Sequence, residues 1–274
     1  ISNLVNIISA DYIDMGFIKY ALLMALPSLA AIGMSFLMLY LVYQKQLKNQ
    51  VFEARLTPPM HAVRSKSMFI LAWIVIGAML LGCFISGTHE FPVSFIVIPC
   101  AAILFIVAQY KGIVRPLAIM KNTPWSIIFF SIGMFVIVYA LKNGNITILL
   151  AHVMKIGYSY GEYVSTLIVG ALAAALSCVM NNLPAVMIDL IAIDQLDLAN
   201  ETKKLFTLAN VIGADIGPKM VPIGSLSTLI WLHILERRDF KITWGYYMKI
   251  GVILTIPTLF VALSSLYLWW KILV

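Results

Sequence analysis

The sequence predicts an all-α polytopic membrane protein with a re-entrant helical hairpin and a discontinuous transmembrane helix. Three observations carry that prediction. Hydrophobic residues make up 62% of the chain and charged residues 11%, against about 45–50% and roughly 25% in soluble domains. The apolar runs are continuous and about 20 residues long, enough to cross roughly 30 Å of hydrocarbon; barrel strands would instead alternate over about ten residues. Two runs are interrupted, by Asn181-Asn182-Leu183-Pro184 and by Gly217-Pro218-Lys219-Met220-Val221-Pro222-Ile223-Gly224. In a bilayer every backbone group freed by a break must be satisfied by protein or cavity water. Two polar, proline-bearing breaks therefore fit the walls of a solute site, as in an inverted-repeat secondary transporter.

Residues 1–42 read as the end of a first repeat: the second half of a broken helix, then the span Phe17–Val42. The chain opens at Ile1 without Met or a charged signal-peptide start, which reads as the later part of a longer protein. Residues 43–67 carry Lys45, Lys48, Arg55, Arg64 and Lys66 against Glu53, a basic loop that the positive-inside rule places in the cytoplasm. Residues 68–274 read as the second repeat. It holds spans 68–85, 91–108 and 124–141, a re-entrant hairpin over 164–193, a broken helix over 205–235 and a last span over 248–270. Pro27 and Pro257 kink their spans, which membranes tolerate. Counting from the basic loop, Gly87–Glu90 is outside, Gln109–Thr123 inside, and 142–161 outside together with Asp11 and Asp14. The net charge of +7 is thus topological, with no basic cluster long enough to follow a nucleic-acid backbone.

The hairpin follows from parity. If 164–193 crossed completely, Asp194, Asp197 and Glu201 would lie inside and Arg237, Arg238, Lys241 and Lys249 outside, inverting the rule. A segment that dips in and returns restores it, with Lys203 and Lys204 as a small residual cost. Ala185–Ile193 supplies about 13 Å of helix and Ser225–Leu235 about 16 Å. Tip and break then meet near mid-membrane. An internal echo agrees: Ile1-Ser2-Asn3-Leu4-Val5-Asn6-Ile7 has the pattern of Ile223-Gly224-Ser225-Leu226-Ser227-Thr228-Leu229, and the two copies open toward opposite faces.

Asn181 and Asn182 offer amide donors and acceptors at the tip, suited to a neutral polyhydroxylated solute, or to backbone freed by the turn. Pro184 fits the first turn of the returning helix. Gly217, Pro218, Pro222 and Gly224 let the second break form. Ser225 and Thr228 open the next half-helix, where hydroxyls and the positive helix end suit an oxygen ligand or simply cap the helix. Asp215 and Lys219, four apart, read as proton-coupling groups or as a mutual ion pair; Asp189 is the second intramembrane acid. Cys83, Cys100 and Cys178 read as small buried hydrophobes without metal-ligand spacing. His152 and His233 read as interfacial residues. The composition calls for membrane lipid as surroundings and for neither metal nor cofactor.

At the two breaks the sequence resembles the arsenical pump membrane protein family, bacterial arsenite carriers of the ion transporter superfamily. The resemblance runs through Ser2-Asn3-Leu4-Val5-Asn6-Ile7-Ile8-Ser9-Ala10-Asp11, Asn122-Thr123-Pro124-Trp125 and Phe130-Ser131-Ile132-Gly133-Met134. It is densest at Met180-Asn181-Asn182-Leu183-Pro184 and from Ala209 to His233, and Trp244-Gly245-Tyr246-Tyr247 follows. It implies the C-terminal part of such a carrier, in the bacterial inner membrane. It further implies arsenite and antimonite as exported solutes, driven by proton antiport or by a cytosolic partner ATPase. Another carrier on the same fold, a sodium–proton antiporter or an organic-anion transporter, is the alternative; for an organic anion Lys219 is the only fixed positive charge at the breaks. The chain carries no HExxH, GxSxG or nucleotide-binding loop, so an enzyme is disfavoured and any ATP dependence falls to another polypeptide. Homo-oligomerisation stays open.

Overall fold

Every element is helical in the computed structural model, and no strand occurs among the described residues, which are 4–47, 63, 65–86, 94–117, 121, 133, 136, 139–140, 144–225, 228, 231–232, 235–236 and 240–274. The span Pro124–Leu141 lies mostly outside this set, and Ile1–Asn3, Arg64, His233, Arg237 and Arg238 wholly so.

The helices are α1 Leu4–Tyr12, α2 Phe17–Leu47, α3 Lys66–Ser86, α4 Ser94–Tyr110, α5 Ile146–Ser159, α6 Glu162–Met180, α7 Asn182–Asp194, α8 Asn200–Ile216 and α9 Trp244–Leu273. Segments of α2, α3, α6 and α9 are long and apolar enough to cross a membrane. The chain divides into two units. One comprises Ile1–Met15, Tyr20–Leu47 and Phe130–Val274; the other comprises Gly16–Lys19 and Lys48–Phe129.

In the second unit α3 and α4 form an antiparallel pair. Lys111, just past α4, donates to the Ser67 hydroxyl at the start of α3, while Gly82 near the end of α3 faces Ile96 near the start of α4.

In the first unit α8 is central, and every residue from Leu205 to Ala214 is buried. Its closest neighbour is α6, and small residues make the fit. A Cβ on Gly213 would overlap the Gly170 carbonyl oxygen, and one on Gly217 would sit 2.5 Å from Ala174 Cα. Gly213 and Gly217 stand four apart on one helix face, opposite Gly170 and Ala174 four apart on the other, an arrangement that lets backbones touch without side chains between them. These pairs run in the same order, so α6 and α8 are parallel. At their starts the Thr202 hydroxyl donates to Glu162 Oε1 at 3.2 Å. Lys271, near the end of α9, pairs with Glu162 Oε2 at 2.7 Å, so α9 runs the other way.

Helix α7 folds back against α6 and α8 and lies antiparallel to α8: Asn182 meets Asp215, and the Asn210 amide donates to Val186 O at 3.1 Å. With about 28 Å in α6 and about 20 Å in α7, the hairpin arms are unequal. The first arm begins at Glu162, two residues before the Val164 read from the sequence.

Two other differences stand out. The sequence reading places no element in residues 142–161, yet they hold α5. Its buried Thr147, Leu150, Ala151, Met154 and Gly157 form one stripe, spaced as an amphipathic helix requires. Helix α2 also runs past Val42 to Leu47, through residues of good helix propensity. It is linked to α9 at three levels: Trp269 Nε1 donates to Leu22 O at 2.9 Å, Ser35 meets Thr258 at 3.4 Å, and Tyr43 meets Tyr246 at 3.2 Å. The opposed numbering makes the pair antiparallel. Both faces toward the exterior carry large apolar side chains, among them Leu29, Phe36, Ile256 and Phe260.

Candidate functional site at the two helix breaks

The hairpin turns on one residue. Asn181 adopts φ 74°, ψ 161°, a region that costs a non-glycine residue about 1–3 kcal/mol. Its own Oδ1 accepts the Asn182 N–H at 2.6 Å and caps α7. Pro184, buried in the first turn of α7, forfeits no intrahelical donor there.

Beside the tip, α8 ends at Ile216 and gives way to two 3₁₀ turns, Gly217–Met220 and Pro222–Gly224, joined by extended Val221. Pro218 and Pro222 lack the N–H that would continue the helix. Gly224 closes on Pro218, where a Cβ would come within 2.8 Å of Pro218 Cα. The Cys178 thiol donates to the freed Gly217 carbonyl at 3.1 Å. Ser225 is half-buried, and its carbonyl accepts the Thr228 N–H at 3.1 Å.

Tip and break are joined by Asp215. Its Oδ1 accepts from Asn182 Nδ2 at 3.4 Å and its Oδ2 from Asn6 Nδ2 at 3.0 Å. Asn6 is oriented in turn by the Tyr20 hydroxyl, which donates to Asn6 Oδ1 at 2.6 Å. Tyr20 is 2% and Asn6 5% exposed. Each amide bond to a carboxylate is charge-assisted and stronger than a neutral one. The cluster thus brings a carboxylate and two amide groups from three elements to one place.

Of the residues singled out from sequence, Asn181, Asn182, Pro184, Asp215, Gly217, Pro218 and Gly224 gather at tip and break. Lys219 does not. It is exposed and, with Ser35, Tyr43, Trp231, Tyr246 and Gly251, lines a separate cavity of about 380 Å³ between α2 and α9. No Asp215–Lys219 ion pair occurs among the described residues. Asp189 lies two turns along α7 from the tip, wholly buried. His152 is exposed. Sequence reasoning missed Asn6 and Tyr20. The signal for Asn6 was present, since the echo aligns it with Thr228.

A model of the arsenical pump membrane protein family matches residues 1–270. The arsenical pump membrane protein of Escherichia coli strain K12 is 40% identical over 98% of this chain, as is that of Shigella flexneri; that of Yersinia enterocolitica is 38% identical over the same share. The chain spans about 62% of the length of each. No solved structure matches it. By the extent of the family match and the identity to these relatives, the chain belongs to the arsenical pump membrane protein family.

Proposed function

We propose that this chain works in the export of arsenite and antimonite across the bacterial inner membrane, as a multi-pass carrier driven by protons, with the solute held where Asn6, Asn182 and Asp215 meet. The observation that carries the reading is the Asp215 carboxylate bound by amides from two other elements. Arsenous acid is neutral and carries three hydroxyls, as does its antimony counterpart. Ionised Asp215 accepts O–H donors from such a solute while Asn6 and Asn182 supply amide groups to its oxygens. Protonated Asp215 loses acceptor capacity, and the solute leaves. Proton and solute thus exclude one another, which is what antiport requires. The test is arsenite uptake into everted vesicles holding the full-length protein. Asn182→Ala should lower uptake about tenfold or more at normal membrane expression, since a bond to a charged group is lost. Wild-type uptake would remove Asn182 from the site. Uptake that needs ATP and ignores the proton gradient would point to a partner ATPase instead.

The hairpin is read as re-entrant from the outer face. The bonds from Thr202 and Lys271 to Glu162 support this, because they hold the starts of α6 and α8 and the end of α9 together. An Asp197→Cys variant should react with an impermeant thiol reagent from outside, and Lys241→Cys only from inside. Labelling of Asp197→Cys from the cytoplasm would sink this orientation.

A further inference from the structure

Asp189 is the one carboxylate in the described residues that is 0% exposed, and neither of its oxygens has a hydrogen-bond partner there. An ionised carboxylate is not kept in such a place without a partner. The helices packed on α7 are α1, α5, α6 and α8, and none supplies one. On α1, Asp11 and Tyr12 are exposed; on α5, His152, Lys155 and Tyr158 are exposed. On α6, Glu162 is taken by Lys271, Tyr163 by Ser264 and Cys178 by Gly217 O. On α8, Lys204 pairs with Glu201, Lys203 with Asp194 of α7 itself, and Asp215 holds the two amides.

One buried acceptor on α8 is also left without a donor. Asn210 of α8 reaches across to Val186 O, one turn before Asp189, and its own Oδ1 is a buried acceptor with no donor. A carboxylic acid O–H is a donor; a carboxylate is not. Along α7 the order is Asn182 at the tip, Asp189 about 10 Å further on, then the exposed Asp194 at the end. Asp189 therefore lies between Asn182 and the exposed end of α7.

We propose that Asp189 is a second proton-carrying carboxyl of this carrier, neutral in the conformation described and ionised in the opposing one, where water reaches it. Only an O–H bond forms and breaks: the carboxylate takes a proton from water on the outer side and returns it to water on the cytoplasmic side. The proposal rests on the proton-driven reading of the site and adds one proton to each cycle.

Two measurements on the full-length protein test it. In proteoliposomes, the proton-to-arsenite ratio is read from the reversal potential. Asp189→Asn should carry one proton fewer per arsenite than wild type, with arsenite counterflow retained; an unchanged ratio would overturn the proposal. In the purified protein at neutral pH, infrared spectroscopy should show a protonated-carboxyl band that Asp189→Asn deletes. Absence of that band from wild type would overturn the proposal even if the variant folded poorly. Failure of the wider reading looks different: wild type would show no arsenite counterflow, while the infrared band would still report on Asp189.

Discussion

Asp215→Asn should abolish proton-driven arsenite export while leaving part of the counterflow. The amide fills the same space but cannot titrate, so an imposed pH gradient loses its handle on the cycle. Net export should fall about a hundredfold or more. Counterflow should fall less, by about tenfold, because one of the two amide donors, Asn6 or Asn182, keeps an acceptor at 215 and the other is left unpaired. Loss of both activities with normal expression would mean that Asp215 serves only to tie the break to the tip. Wild-type export under the gradient would refute its coupling role outright.

The second large effect is on folding. Gly213→Ala places a Cβ against the Gly170 carbonyl, where both sides of the clash are backbone and neither has a rotamer to change. Overpacking of this kind costs about 1–3 kcal/mol or more. The hairpin should separate from α8, and the detergent-solubilised protein should lose thermal stability and yield. The control is Gly33→Ala on α2. That site is open, so the better helix former should be neutral or stabilise by up to about 1 kcal/mol. Equal thermal stability for the two variants would show that α6 and α8 do not touch through their backbones.

What the sequence revealed followed from local chemistry. The Asn181–Pro184 tip and the Gly217–Gly224 break announce themselves through residues that cannot sit quietly inside an apolar helix. The 14-residue α5 escaped because it falls short of a membrane crossing and carries His152 and Lys155. Asn6 escaped as a site residue because its partner Asp215 is 209 positions away, beyond any spacing rule. The alternative reading of Asp215 and Lys219 as a mutual ion pair assumed an α-helical face, on which residues four apart are neighbours. The helix instead stops at Ile216, and the tighter 3₁₀ turn leaves Lys219 exposed beside the other cavity.

The lengths of α2 and α9 have a consequence for the lipid around them. At about 46 Å and about 45 Å both outrun a hydrocarbon layer of roughly 30 Å. Trp244, Tyr246 and Tyr43 mark one end of the pair, and Trp269 the other, with about 37 Å between Trp244 and Trp269 along α9. Rings of this kind settle at headgroup depth, so the two ends form upper and lower girdles that pin the vertical position of the protein. Three hydrogen bonds tie α2 to α9 along their length. A thinner or thicker bilayer is therefore met by a change of tilt in which these bonds couple the two helices.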